Sequence, residues 1–175
     1  MKNHRNLLRQ RKGDVLIEAV LAIAITGIVV TGIVVALTNS ISQSNFTRNQ
    51  NLASNYAQQG LDIARNMKEN SFASLSALGD RSYCLGEGET TITTPESASG
   101  CDVNIGGVFF RSVYINSSGE DGREDVPGES CQVDDGVSSV FVASTVAWTD
   151  SRCTGGEICH KVELNSCFVD LNKIR

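Results

Sequence analysis

The sequence predicts an α+β fold, in which a long N-terminal α-helix packs on a small antiparallel β-sheet head. Three observations predict it. No proline occurs between residues 14 and 70, and residues 19–37 are Ala, Val, Ile and Leu broken only by Thr26, Gly27, Thr31 and Gly32. Past Phe72 the texture changes: Gly, Ser and Thr rise, and short runs of β-branched and aromatic residues appear. All six cysteines, Cys84, Cys101, Cys131, Cys153, Cys159 and Cys167, fall in that later part.

The first 13 residues hold Lys2, Arg5, Arg9, Arg11 and Lys12 and no acid. An apolar run follows at once. A basic head before an apolar span places the amino end in the cytoplasm and the carboxyl end outside. Residues 14–37 read as one apolar helix, and positions 18–37 reach about 30 Å, one hydrocarbon thickness. Glu18 stands alone in this run, five residues past Gly13. A charged side chain at membrane depth costs roughly 2.5–3.5 kcal/mol on insertion scales and marks a functional site by default. Its natural partner is a free amino terminus made by cutting after Gly13. Gly27 and Gly32 each weaken a helix by about 1 kcal/mol relative to Ala. They serve either close helix packing or local unwinding.

Residues 38–72 form an amphipathic stem. Ile41, Leu52, Tyr56, Ile63 and Met67 recur on one stripe, with Ala53, Ala57, Gly60 and Ala64 near the same side. Together with the apolar segment this makes a helix of about 55 residues, roughly 80 Å long. Such a rod suits a chain that spans a membrane and supports a head. In residues 73–175, three strand signals stand out: Val108–Ile115, Val137–Trp148 and Ile158–Val169. Gly155-Gly156 between the last two favours an antiparallel hairpin. Trp148 and Phe168 read as core residues. No internal repeat is present.

Composition limits the chemistry. Removing the leader leaves 10 Lys and Arg against 20 Asp and Glu, a net charge of −10 over residues 14–175. Phosphates are repelled by such a surface, so no nucleic-acid partner is predicted. The chain has two histidines, His4 and His160, and no Walker-type phosphate loop, so neither an enzyme nor a cofactor is expected. Six cysteines in an exported segment read as disulfides, with fifteen connectivities open. One consistent set joins Cys84–Cys101, Cys131–Cys167 and Cys153–Cys159, the last pair flanking the hairpin loop. Cys153, Cys159, His160 and Cys167 can also be drawn as zinc ligands. No Cys-x2-Cys pair supports this, and no metal is expected. The 117–136 loop carries Glu120, Asp121, Glu124, Asp125, Glu129, Asp134 and Asp135. Its order does not match an EF-hand, and a solvated loop is favoured over a calcium site.

The N-terminal third resembles type IV pilins and the pseudopilins of type II secretion. The likeness rests on the basic leader ending in Gly13, Glu18 as the fifth residue after it, the apolar run Ala19–Leu37 and the polar helical stem. Residues 51–65, NLASNYAQQGLDIAR, look like a minor-pilin stem. The resemblance covers about residues 9–72; for the head it is one of architecture. It implies a pilin-like fold, removal of residues 1–13 by a prepilin peptidase cutting between Gly13 and Asp14, and methylation of the new amine. It also implies extraction by a pilus assembly platform into a filament of pilin subunits. Gly27 falls where many pilins carry a glycine in a segment that unwinds during assembly. Two departures stand out. Asp14 occupies the first mature position, where most members have Phe, and Val35 stands where a late proline is common.

The function so implied is structural: a pilin, most simply a minor pilin or pilin-like protein. It would sit in the cytoplasmic membrane before assembly and in an extracellular or periplasmic filament afterwards. The alternative is an uncleaved, membrane-anchored surface protein with a ligand-binding head. A secretory signal peptide shares the basic head and apolar core, with Val34-Val35-Ala36 as a weak cleavage site. But its core spans only about 7–15 residues, and it gains nothing from Glu18.

Overall fold

A computed structural model describes residues 4–98, 100–102, 105–117, 131, 138–150, 152–154 and 158–170, with side chains described from Val15 onward. Helix α1 runs His4–Asn70, the short helix α2 covers Phe72–Ser76, and five strands follow: β1 (Arg81–Cys84), β2 (Thr94–Pro95), β3 (Phe109–Asn116), β4 (Ser139–Trp148) and β5 (His160–Val169). The chain is therefore α+β, with one long N-terminal helix and an antiparallel sheet. Helical backbone begins before the apolar run, inside the basic segment. The contacts define two compact units, Met1–Thr47 and Arg48–Arg175. The stem residues from Arg48 onward thus belong with the head.

Within the second unit the sheet order is β2-β1-β3-β4-β5, antiparallel throughout. The three strands legible in the sequence are the three long ones. The hairpin of β4 and β5 pairs Trp148 with His160 at its loop end and Ser139 with Val169 at the other. β1 and β2 are additions. Four and two residues long, they carry too little alternation to be read locally, and β3 and β1 supply their pairing.

One face of the sheet is covered by the stem portion of α1. Leu61 and Ala64 join Leu75, Tyr83, Val113, Ile115, Val142 and Phe168 in one buried cluster. The stripe read from the sequence is shifted in one respect. Ala53, Ala57, Gly60 and Ala64 are its buried centre, whereas Leu52, Tyr56, Ile63 and Met67 are half-buried flanks and Ile41 is exposed. Small residues at spacings of four, three and four let the helix backbone approach the sheet closely. Gly60 shows the consequence: a Cβ built there would overlap Ser144 Oγ and sit 3.4 Å from Val113 Cγ2. Trp148 and Phe168 are buried, as their core reading requires.

The join between helix and sheet is a capped turn. Ser71 opens α2, its hydroxyl accepting from Ser74 N at 3.3 Å. Leu75 is fully buried beneath it. Tyr83 Oη donates to Leu78 O at 2.6 Å, tying the turn to β1. The acidic 117–136 loop, and with it the calcium question, lies outside the described residues except at Ser117 and Cys131.

Candidate functional site: an apolar helix bearing one carboxylate

From Val15 to Leu37 the side chains of α1 are exposed on every side within the first unit. Leu16, Ile17, Ile23 and Ile28 each present two thirds or more of their surface. A helix apolar all round belongs in a membrane or in the core of a bundle, because water has no favourable contact to offer it. By length and composition α1 is long and apolar enough to cross a membrane. Its polar breaks are neutralised locally. Thr26 Oγ1 donates to Ala22 O at 2.7 Å, Thr31 Oγ1 to Ile28 O at 2.9 Å and Thr38 Oγ1 to Val35 O at 2.9 Å. Each hydroxyl satisfies its donor on its own helix and can enter hydrocarbon at little cost. The helix stays continuous through Gly27 and Gly32, and nothing lies within 4 Å of a Cβ built at either position.

Glu18 is the exception. It is exposed, and at helical spacing its neighbours are Val15, Leu21 and Ala22. It makes no hydrogen bond or ion pair among the described residues. A carboxylate on this surface needs a cation from another chain or from a membrane boundary. Gly13 and Asp14 lie in the backbone of α1; the Asp14 side chain, and so its bearing on the amine, is outside the described residues.

The head joins its six cysteines in three bridges: Cys84–Cys101, Cys131–Cys167 and Cys153–Cys159. Cys167 is thereby separated from the zinc set drawn on the sequence. Asp150 takes its place beside Cys153, Cys159 and His160.

Two residues that sequence reasoning passed over hold polar contacts in the head. Arg111 is 2% exposed on the helix-facing side of β3. Its Nε donates to Leu85 O at 3.0 Å and its Nη2 to Gly86 O at 2.6 Å, while Nη1 reaches Tyr56 O at 3.2 Å. Burial lowers its pKa from the usual arginine value, an effect opposed by the field of Glu89; the group stays a cation. The signal was available: Phe109, Arg111, Val113 and Ile115 share one parity in a strand whose alternate residues are buried. The second residue is Asp150, whose carboxyl is held below its ordinary range, first by the Arg152 N–H at 2.8 Å and then by His160.

No protein family, curated protein or solved structure matches the chain.

Proposed function

We propose that this chain is a pilin-like filament subunit, processed after Gly13 and assembled into a type IV pilus or a related pseudopilus. One observation carries the reading: a single carboxylate, Glu18, in a helical segment from Val15 to Leu37 that is otherwise apolar and exposed, placed five residues after the glycine that closes a basic segment. In a core of packed apolar helices neither a lone ammonium nor a lone carboxylate is tolerated. Glu18 of one subunit offsets the new amine of its neighbour, and the pairing fixes axial register. Leaving one partner of a buried pair unmatched costs roughly 3–5 kcal/mol. Asp14 adds a second carboxylate beside the amine, so one positive and two negative charges would share that site. The small residues Gly27 and Gly32 give neighbouring helices room to approach.

The test is intact mass of protein from membranes and from sheared filaments, paired with Glu18→Ala. A mass beginning at Asp14, with wild type in filaments and Glu18→Ala retained in the membrane, supports the proposal. A mass keeping residues 1–13 in cells with an active prepilin peptidase overturns it. That result leaves an anchored surface protein as the better account. Normal assembly of Glu18→Ala overturns the role given to Glu18.

A further inference from the structure

The loop end of the β4–β5 hairpin gathers four metal-ligating side chains that the filament reading does not use. Asp150, Cys153, Cys159 and His160 place one carboxylate oxygen, two sulfurs and one imidazole nitrogen within 4.8 Å of one another. We infer that this corner is a redox-gated site for a zinc-class cation, closed while the Cys153–Cys159 disulfide is intact and opened by its reduction. The inference does not depend on processing or filament assembly.

The geometry is close to what the ion requires. A tetrahedral zinc with Zn–N of about 2.0 Å and Zn–S of about 2.3 Å sets its ligand atoms roughly 3.3–3.8 Å apart. His160 Nε2 already lies 3.2 Å from Asp150 Oδ1. In the bridged state the two sulfurs are bonded to each other and cannot both donate to a cation. Once reduced they must part, and the space between them and the His160–Asp150 pair is where the ion sits.

The frame of the site is held by bonds other than the disulfide. Cys153 N donates to Asp150 O at 3.1 Å and Arg152 N to Asp150 Oδ1 at 2.8 Å, forming a closed turn. Asp150 N reaches Cys153 Sγ at 3.4 Å, the kind of N–H contact that stabilises a thiolate. His160 is fixed by strand register opposite Trp148, whose ring lies 5.2 Å from the imidazole at 30°. Opening the bridge therefore leaves three of the four positions anchored. The bridge is also the one best placed to open. Cys159 is exposed, as Cys167 is in its own bridge, but the 153–159 pair closes only a six-residue separation, against 17 and 36 for the others, so it restrains the unfolded chain least.

The chemistry balances. A dithiol donates two electrons and two protons to the disulfide, giving the Cys153 and Cys159 thiols and an oxidised dithiol. Binding of the dication then releases two thiol protons. Two thiolates, the Asp150 carboxylate and neutral His160 around a dication leave a net charge of −1, and Arg152 Nε stands 3.9 Å from Asp150 Oδ2 to offset it. Two sulfurs with one nitrogen select zinc-like ions over calcium or magnesium, which take oxygen.

The test uses the full chain in neutral detergent. A phosphine reductant is titrated until alkylation mapping shows Cys153 and Cys159 open and the other two bridges intact. Zn2+, and Co2+ as a coloured probe, are then added to the oxidised and reduced forms. The expected result is one ion per reduced chain, the absorption of tetrahedral thiolate-bound cobalt, protection of both cysteines from alkylation and no binding to the oxidised form. The double variant Asp150→Asn, His160→Gln should lose more than the roughly 10–100-fold in affinity that follows removal of an outer partner, with far-ultraviolet circular dichroism reporting an intact head. No ion in the reduced form overturns the inference, as does equal binding to the oxidised form or unchanged affinity in the double variant. It also fails if the bridge opens only together with the other two, since then no folded head offers both thiolates.

Discussion

Replacing Arg111 by Met tests the account of how the head is held together. Met fills most of the same volume and introduces no polar atom, so packing is largely kept and the hydrogen bonds are lost. Arg111 serves Leu85 O at 3.0 Å, Gly86 O at 2.6 Å and Tyr56 O at 3.2 Å. Tyr56 O sits inside α1, where helical geometry supplies it another donor. Leu85 is fully buried and Gly86 half-buried, so Leu85 O is the harder of the two for water to satisfy. Two carbonyls stripped of their donors cost about 1–3 kcal/mol each. Relief of the guanidinium's own desolvation, visible in its lowered pKa, returns part of this. The expected net loss is about 2–4 kcal/mol. Trp148, the only tryptophan and fully buried in the head, gives the assay: urea unfolding of the full chain in neutral detergent, followed by its fluorescence with disulfides intact. Hydrogen exchange around Tyr56–Ala64 should quicken in the same variant. The opposing expectation is explicit, because replacing a buried charged group by an apolar one is sometimes neutral or stabilising. A loss below about 0.5 kcal/mol with an unchanged slope would refute the view that this guanidinium fastens the stem to the sheet.

Other consequences can be checked with the same assay. Gly60→Ala should lose about 1–3 kcal/mol, although alanine is the better helix former by about 1 kcal/mol, because its methyl meets Ser144; adding Ser144→Ala should restore part of the loss. Replacing Cys131 and Cys167 by Ser should cost more than the same change at Cys153 and Cys159, about 3.8 against about 2.2 kcal/mol by chain entropy for separations of 36 and 6; equal losses would contradict that ordering. Asp150 has a depressed pKa, so its contribution is present above the unfolded carboxylate value near 4 and is lost as pH falls through the lower folded value. The stability difference between wild type and Asp150→Asn should therefore shrink below about pH 4; a difference that persists undiminished to pH 2 would count against it.

Why some elements were legible and others not follows from where their information lies. β4 and β5 announce themselves because each is ten residues of β-forming sequence joined by a Gly-Gly loop. β1, Arg-Ser-Tyr-Cys, and β2, Thr-Pro, have no pattern of their own and exist because β3 presents a free edge. Leu61 was absent from the stripe read on the stem, yet it is buried with Ala64. The sheet selected the small-residue ridge because only that face allows close contact at Gly60. Asp150 could not be placed beside Cys159 and His160 before the hairpin register was known. Cys167, closer to them in character, lies further along β5 in bonding reach of Cys131.

By itself the sequence determined what depends on local composition: the long helix, its apolar and amphipathic segments, the basic segment before it, the isolated carboxylate and the three long strands. These are properties of neighbouring residues, fixed by hydrophobic periodicity and by the cost of charge in an apolar setting. Only the tertiary structure decided which face of the stem is buried, where Arg111 sends its hydrogen bonds, which cysteine meets which, and that Asp150 joins Cys153, Cys159 and His160 at one corner. Those outcomes rest on contacts that range from 6 positions apart, at Cys153–Cys159, to 84, at Gly60–Ser144, and sheet register, rather than local preference, brings most of them within reach.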